Sequence, residues 1–312
     1  MNLAEFAQAV QHNVAQVVIG KANVVELMLV AVLCDGHVLI EDVPGIGKTT
    51  LAKALARSID CSFARIQFTP DLLPSDVTGI SVFNQQNQSF EFRAGPVFSQ
   101  ILLGDEINRA TPRTQSSLLE AMQERQVTID GETHALPRPF LVLATQNPIE
   151  LEGTFPLPEA QLDRFLMQVR LGYPSLAEEE EMLLRYTQAE PLADLQPVAT
   201  SAQVLQLQDA VRAIHVSADV RRYVLHVVRA TRDHPSVELG VSPRGSLALF
   251  KASQALAGLR GRDYVIPSDV QHLAAAVLTH RIHVSPQTRL RGRTPAQVVA
   301  EIADTVPVPV VE

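Results

Sequence analysis

Residues 42–50, DVPGIGKTT, combine glycines, a lysine and two threonines at a spacing that suits phosphate binding. An apolar, strand-like run at 37–40 precedes them, and a helix-like run at 51–58 follows. In a strand–loop–helix unit the glycines let backbone N–H groups turn inward, and the helix points its positive end at the phosphates. The stretch is therefore predicted to cradle phosphate groups.

The binding residues of this loop are predicted to be Pro44, Gly45, Ile46, Gly47, Lys48, Thr49 and Thr50. The Lys48 ammonium would reach the terminal phosphates, and the Thr49 hydroxyl suits a magnesium ligand. The strict pattern begins with glycine, whereas this chain has Asp42 there. An ordinary glycine turn before a helix is the alternative, and a Gly-Lys-Thr ending between strand and helix makes it the weaker one.

Two adjacent acids, Asp105 and Glu106, follow a short apolar strand predicted at 101–103. A phosphate loop needs a metal-binding carboxylate at a neighbouring strand end, and Asp105 is placed to supply it. Glu106 is then the natural base to polarise an attacking water. Solvated surface acids are the alternative, which the phosphate loop upstream disfavours.

Asn147 closes the next apolar strand, predicted at 140–144. A neutral amide at that point can orient water against a terminal phosphate without adding charge. On local grounds alone, a simple turn at Asn147 and Pro148 is a serious alternative.

Two arginines are candidates for phosphate contact. Arg164 precedes a strand that returns to the sheet, and Arg244 follows Ser242 and Pro243, a helix cap and a first-turn proline. A cation in the first turn is unfavourable beside the positive end of the helix dipole, so a nearby anion such as nucleotide phosphate would compensate it. For each arginine the alternative is a surface ion pair, which contributes little energy.

The first part of the chain alternates apolar strands with helices, which predicts an α/β nucleotide domain over residues 1–173. Helices are predicted at 2–17, 22–33 and 112–124, and a strand at 61–67. Two hairpins interrupt this alternation, one at 80–93 and one that turns at Asp130 and Gly131. From its pattern, the first hairpin is as consistent with a plain surface ribbon as with a functional loop.

From Pro174 onward the pattern is helical, with helices predicted at 176–188, 201–213, 217–233, 243–260 and 268–280. This pattern predicts a small helical domain over residues 174–312. The acidic run at 178–181 is interpreted as a solvated helix face.

Composition limits the remaining possibilities. The 312 residues carry a formal net charge of -8, which argues weakly against binding to DNA or RNA. Cys34 and Cys61 lie in apolar stretches and favour a reducing compartment over a disulfide framework. The longest apolar run is too short to span a bilayer and the N-terminus lacks a signal pattern, so a cytoplasmic location is expected. His280 and His283 lack the supporting ligands of a metal site.

The chain strongly resembles the MoxR family of AAA+ ATPases over essentially its whole length. The resemblance is carried by residues 104–110, 115–124, 127–131, 144–148, 153–158 and 159–165, and by 242–244 and 261–265 in the helical part. It implies a P-loop parallel sheet with flanking helices and the β-hairpin inserts of the helix-two-insert branch, followed by a small α-helical lid domain. Asp42 and Gly245 depart from the family pattern, and neither departure removes a catalytic side chain.

The resemblance also implies a role for each candidate residue. The loop around Lys48 is the Walker A motif, and Asp105 with Glu106 is the Walker B motif. Asn147 is the sensor-one residue, Arg164 the arginine finger and Arg244 the sensor-two arginine. The implied ligands are ATP and Mg²⁺, with Thr49 and Asp105 at the metal.

The resemblance further implies a ring, expected to be a hexamer, because an arginine finger must come from a neighbouring subunit. MoxR proteins are chaperone-like remodellers that assist maturation or metal insertion of client proteins. Their partners often carry a von Willebrand factor A domain, so such a partner is expected here.

Two functions of other classes stay open. An AAA+ motor acting on nucleic acid would need a basic hairpin, and the hairpin at 80–93 offers only Arg93 against Glu91. Stimulation of ATP hydrolysis by duplex or single strands would favour the motor. A nucleotide-switch scaffold would lack hydrolytic residues, yet Glu106, Asn147 and Arg164 are all present, and only a flat ATPase baseline in the assembled state would favour it.

Overall fold

A computed structural model describes residues 1–147, 153–188 and 190–309; Pro148, which follows the predicted Asn147, lies outside these ranges. The strands of the described chain are β1 (Val38–Glu41), β2 (Phe63–Gln67), β3 (Gly79–Asn84), β4 (Ser89–Ala94), β5 (Ile101–Asp105), β6 (Gln126–Ile129), β7 (Glu132–Ala135), β8 (Leu141–Gln146), β9 (Met167–Val169), β10 (Val237–Leu239) and β11 (His283–Val284). Five of them form a parallel sheet in the order β2-β5-β8-β1-β9.

The first six helices lie around this sheet. The chain from α7 onward is mainly helical and is called the helical part. The helices are α1 (Leu3–Ala15), α2 (Ala22–Leu33), α3 (Lys48–Ser58), α4 (Pro74–Thr78), α5 (Pro112–Glu124), α6 (Glu159–Leu162), α7 (Leu176–Gln188), α8 (Pro191–Asp194), α9 (Ser201–Val211), α10 (Ala218–Asp233), α11 (Pro243–Leu259), α12 (Pro267–Leu278), α13 (Pro286–Leu290) and α14 (Pro295–Thr305). In the part of the chain that the structure describes, no helix is long and apolar enough to cross a membrane.

The central strands are buried on both faces, and alternate side chains enter two different cores. In β1, Val38 and Ile40 belong to one core, while Leu39 belongs to the other. In β8, Leu143 and Val142 divide in the same way. This division follows from the two-residue repeat of a strand, because both faces of a parallel sheet are covered by helices.

The helical part shares the first of these cores with the N-terminal helices. Helix α11 packs against α1 and α2, and α12 packs against β9. Gln208 Nε2 of α9 donates to Val32 O at 2.7 Å, which satisfies a carbonyl near the end of α2. The helical part is therefore attached to the side of the sheet that carries α1 and α2.

Both predicted hairpins are present. The second turns through Asp130 at φ 50° and Gly131 at φ 86°, the two positive φ angles that a two-residue loop of this hand requires. In the first hairpin, Phe83 and Phe90 are 50% and 72% exposed and pack on each other, with ring centroids 5.3 Å apart. The first hairpin therefore presents aromatic rings to solvent.

Helix α7 has the bounds that the sequence predicted, but its orientation is unusual. Arg185 Nη1 donates to Ala15 O at 2.6 Å and to Gln16 O at 2.9 Å, whereas Glu179, Glu180 and Glu181 are exposed. Apolar side chains of α7 also face solvent, with Leu176 and Leu183 being 84% and 73% exposed. The acidic run at 178–181 is therefore only one part of the exposed surface of α7, which also includes leucine side chains.

Other differences from the predicted elements concern short segments. The returning strand predicted after Arg164 is short, since β9 covers only Met167–Val169, and residues Glu159–Leu162 before it form α6. Helix α14 was not predicted, although Thr294 and Gln297 form a capping box at its start.

Candidate nucleotide site

The phosphate loop joins the carboxyl end of β1 to the start of α3. Gly45 and Gly47 have φ angles of +83° and +90°, which L side chains rarely adopt. A Cβ at either glycine would meet no atom within 4 Å, so backbone conformation rather than crowding requires glycine. The loop is thus open on the side that a phosphate would approach, and Lys48 is the first residue of α3.

Lys48 is held at the base of this loop. Lys48 is 9% exposed, and its Nζ donates to Asp42 O at 2.9 Å. Burial lowers the pKa of Lys48, while the negative charges of Asp105, Asp42 and Glu106 oppose that shift. The ammonium therefore lies close to both predicted Walker B acids. Thr49 and Thr50, in the first turn of α3, are half-buried.

Asp42, which stands where the strict pattern has glycine, makes three hydrogen bonds to backbone N–H groups. Its Oδ2 accepts from Leu171 N at 2.8 Å and from Gly172 N at 2.7 Å, and its Oδ1 accepts from Val43 N at 3.0 Å. The carboxylate thereby ties the start of the phosphate loop to the segment that follows β9.

Asp105 ends β5, beside the phosphate loop. Thr145 Oγ1 donates to its Oδ1 at 2.6 Å, and Arg65 Nη2 donates to its Oδ2 at 2.7 Å. Each partner comes from a neighbouring strand, β8 for Thr145 and β2 for Arg65. The neighbouring strands therefore fix the orientation of this carboxylate.

Glu106 follows Asp105 in a left-handed conformation, with φ 57° and ψ 50°. Its Oε2 accepts from Gln67 Nε2 at 2.7 Å and lies 3.2 Å from Arg109 Nε. Its backbone N–H donates to Thr145 Oγ1 at 2.8 Å. Uncommon backbone angles for a non-glycine residue concentrate at functional sites, and here they set the direction of the Glu106 side chain.

Asn147 directly follows β8, and it is half-buried and interacts with a neighbouring group. Strand β8 lies between β5 and β1 in the sheet, and Gln146 pairs in register with Glu41. Because the carboxyl ends of parallel strands meet at one edge, Asn147 lies between the Asp105–Glu106 pair and the phosphate loop.

The two predicted arginines lie elsewhere. Arg164 precedes the amino end of β9, where Leu166 N donates to His37 O at 2.8 Å. The phosphate loop begins at Asp42, beyond the carboxyl end of the adjacent strand β1. The strand from His37 to Asp42 separates the two levels by roughly 17 Å, at about 3.3 Å per residue. The structure therefore does not bring Arg164 to the phosphate loop of its own chain.

Arg244 lies at the start of α11, which contacts the segment that carries Arg164. It occupies the first turn of α11 and is exposed, while Ser242 Oγ, two residues earlier, donates to Asp163 Oδ2 at 2.8 Å. Asp163 immediately precedes Arg164 in the chain. Both arginines therefore lie toward the amino-end level of β9.

Sequence reasoning missed the residues that orient the two acids, namely Arg65, Gln67 and Thr145. Arg65 and Gln67 lie two residues apart on β2, and Gln67 pairs in register with Asp105 of β5. Their alternating polar character in a strand was the available signal. That signal becomes informative only once β2 is known to lie beside β5.

The donor set suits Mg²⁺ better than a metal held entirely by protein. The Thr49 hydroxyl and the Asp105 carboxylate are hard oxygen donors, which Mg²⁺ prefers together with phosphate oxygens and waters. Among the residues that the structure describes, no group of three His, Cys, Asp or Glu side chains could hold a metal ion. Thr49 and Asp105 therefore fit a metal that arrives with its nucleotide.

Family comparison agrees with this architecture. Residues 37–167 match the model of the ATPase family associated with various cellular activities (AAA), and residues 229–302 match the AAA lid domain. A crystal structure of an ATPase candidate from Cytophaga hutchinsonii superposes with a TM-score of 0.92 at 37% identity, covering 98% of this chain and 96% of that one. The fold and the site thus define an AAA+ ATPase with a helical lid.

Proteins of similar sequence narrow the assignment within the AAA+ class. The chain is 52% identical over 303 residues to YeaC, an uncharacterised protein of Bacillus subtilis, covering 97% of this chain and 94% of YeaC. It is 43% identical over 305 residues to the chaperone MoxR1 of Mycobacterium tuberculosis, covering 95% of this chain and 80% of MoxR1. The chain belongs to the MoxR family of AAA+ ATPases.

Proposed function

We propose that this chain binds ATP with Mg²⁺ at the phosphate loop and hydrolyses it. One observation carries the proposal: Lys48, the Asp105–Glu106 pair and Asn147 converge at the carboxyl ends of three adjacent parallel strands. Phosphoryl transfer depends mainly on positioning and electrostatic stabilisation, and these residues supply a cation, a metal ligand, a base and a neutral amide.

Each side chain has a defined task in this proposal. Lys48 exchanges its contact with Asp42 O for the terminal phosphates, and Glu106 leaves Gln67 and Arg109 to accept a proton from water. Asn147 orients that water. Thr49 and Asp105 would hold Mg²⁺, which would supply positive charge against the phosphate oxygens.

A comparison of two lysines on one helix tests the site. Lys48→Ala should abolish productive binding of a fluorescent ATP analogue, because the cation facing the terminal phosphates is lost. Lys53→Ala, an exposed lysine on the same helix α3, is the matched control and should bind as the parent does. Equal affinity in both variants would reject the phosphate loop as the nucleotide site.

The placement of Arg164 supports assembly into a ring, for which we propose a hexamer. A transition state for phosphoryl transfer needs positive charge on the γ-phosphate, and Arg164 lies at the opposite end of the sheet strands from its own phosphate loop. A cyclic, head-to-tail contact would bring this arginine to the loop of the next subunit.

The client-directed part of the proposal rests on family membership. Similarity to the chaperone MoxR1 supports a remodeller of client proteins. A partner that carries a von Willebrand factor A domain is part of the proposal and rests only on the family resemblance described above. We place the boundary between the α/β domain (1–173) and the helical lid (174–312) after Tyr173. ATP-dependent reactivation of a denatured test enzyme, absent with Glu106→Gln, would check the remodelling activity.

A further inference from the structure

Asp163 directs both of its carboxylate oxygens to the helical part. Arg281 Nε donates to Oδ1 at 2.8 Å, and Ser242 Oγ donates to Oδ2 at 2.8 Å. Asp163 itself lies in the segment between α6 and β9, one residue before Arg164. This carboxylate therefore joins the segment that carries Arg164 to two separate points of the helical part.

Arg281 is the most buried member of this cluster, with a side chain that is only 2% exposed. Besides Asp163, its guanidinium donates to Leu166 O at 3.0 Å and to the carbonyls of Phe165 and Val277. Removing a buried cation from such partners is costly, because donors and acceptors would be left unsatisfied. Arg281 thus holds the segment 163–166 firmly against the end of α12.

Ser242 connects the same carboxylate to Arg244. Its hydroxyl donates to Asp163 and also accepts from Arg244 N at 3.2 Å, as the cap of α11. Burial lowers the pKa of Arg281, and the Asp163 carboxylate opposes that shift. The positive charge of Arg244 lowers the same pKa further, so the Arg244 guanidinium lies within electrostatic range of Arg281. The two arginines therefore come from segments that meet at one carboxylate.

We propose that Asp163, Arg281 and Ser242 form a latch that presents Arg164 and Arg244 as one unit to the phosphate loop of a neighbouring subunit. This inference rests on the proposed ring ATPase. The three latch residues are positioning residues, since they contact protein groups and not nucleotide. Any movement of the helical part then carries both arginines together, which links the conformation of one subunit to hydrolysis in the next.

The assay uses two variants that are each expected to be inactive. The acceptor carries Arg164→Ala and keeps Glu106, while the donor carries Glu106→Gln and keeps Arg164. After subunit exchange in an equal mixture, acceptor sites that face a donor are complete, and the restored ATPase rate is the reference.

Ser242→Ala is then added to the donor alone or to the acceptor alone. The matched control is Ser217→Ala, because Ser217 is another half-buried cap of the helical part, whose hydroxyl accepts from Val220 N at 3.2 Å. Asp163→Asn, placed in the same two ways, is the second latch variant. ATP affinity and melting temperature are measured for every protein, so that a folding defect is recognised.

In the donor, Ser242→Ala should lower the restored rate about fivefold, the effect of one lost hydrogen bond. In the acceptor, Ser242→Ala should change the restored rate less than about twofold. Ser217→Ala should also change that rate less than about twofold, whether it is added to the donor or to the acceptor. Asp163→Asn should likewise lower the restored rate more when it is in the donor than when it is in the acceptor, with ATP affinity unchanged. An equal loss in both positions, or a loss in the acceptor alone, would overturn the latch. No restored activity in the reference mixture would instead contradict the trans ATPase itself, and with it the latch.

Discussion

Asp42 shows how a departure from a motif can be compensated by the surrounding structure. The first residue of the phosphate loop is not the one that turns at positive φ, since Gly45 and Gly47 do so. Asp42 instead uses its side chain to accept from Leu171 N and Gly172 N, just after β9. The acid is therefore an anchor for the loop and not a defect in it.

Replacing Asp42 should accordingly weaken the protein even though the strict motif is restored. Asp42→Gly removes three hydrogen bonds to backbone N–H groups and should lower the free energy of unfolding by about 2 kcal/mol. Asp42→Asn keeps an amide oxygen as acceptor and should lose about half as much. Urea unfolding of the three proteins measures both effects. An Asp42→Gly protein that is more stable than the parent would show that these three hydrogen bonds do not stabilise the folded protein.

His37 predicts a specific dependence of stability on pH. It is 4% exposed, Val142 N donates to its Nδ1 at 3.0 Å, and its Nε2 lies 3.1 Å from Met122 O. Only a neutral ring with the proton on Nε2 satisfies both contacts. Burial, helped by the charge of Arg125, lowers the pKa of His37 to about 3.

Since the pKa of His37 is lower in the folded protein than its ordinary 6.5, protonation favours the unfolded chain. The stabilisation is complete above pH 6.5 and is lost as the pH falls toward 3. Between pH 7.5 and 4.5, unfolding free energy should fall by about 3 kcal/mol more in the parent than in His37→Asn, which cannot titrate. Equal pH dependence in both proteins would contradict this account.

Local residue patterns predicted one part of the site and could not predict the other. Lys48, Asp105 and Glu106 follow from short motifs, because each is read within one strand–loop unit. Gln67 and Thr145 act through contacts between strands that are distant in sequence. Strand order, which sequence spacing does not contain, determines those contacts.

At the scale of elements, the long periodic helices other than α14 were predictable, and the shortest helices were not. Helices α2, α5 and α7 have the predicted bounds. Helices α4, α6 and α13 have only four or five residues, too few for a helical repeat to be recognised. The exposure of Leu176 and Leu183 in α7 was also unpredictable, since an amphipathic helix is expected to bury its apolar side.

A buried ion pair joins the loop before α12 to the first turn of that helix and should dominate the local stability. Asp269 is 0% exposed, and Arg262 donates to both of its carboxylate oxygens, at 2.7 and 2.6 Å. Arg262→Ala leaves the carboxylate only Ile266 N and the more distant Arg260, whose Nη1 is 3.7 Å from Oδ1, and should cost about 3 kcal/mol of unfolding free energy.

The matched control for that loss is Arg222→Ala. Arg222 pairs with Asp219 at 2.9 Å, but both side chains are more than half exposed. Exposed pairs contribute less than about 1 kcal/mol, so this variant should unfold almost as the parent does in urea. Similar losses in the two variants would refute the importance of burial at Asp269.

At the scale of the whole molecule, the sheet separates two sets of catalytic candidates. The phosphate loop, the acid pair and Asn147 lie at the carboxyl ends of the strands, whereas Arg164 and Arg244 lie toward the amino end of β9. The α/β sheet with its helical lid followed from the sequence, but this separation did not. It follows from the attachment of the helical part beside α1, α2 and β9.

The central claim is that a site in one subunit hydrolyses ATP with an arginine from the next. It is tested most directly by the ATPase rate of Glu106→Gln and Arg164→Ala mixtures as the fraction of one variant is increased. In a randomly mixed closed ring, complete sites scale with the product of the two fractions, so the rate should peak at equal amounts, with about a quarter of the interfaces complete. A rate that stays at the level of the separate variants across the series, despite verified subunit exchange, would contradict the account.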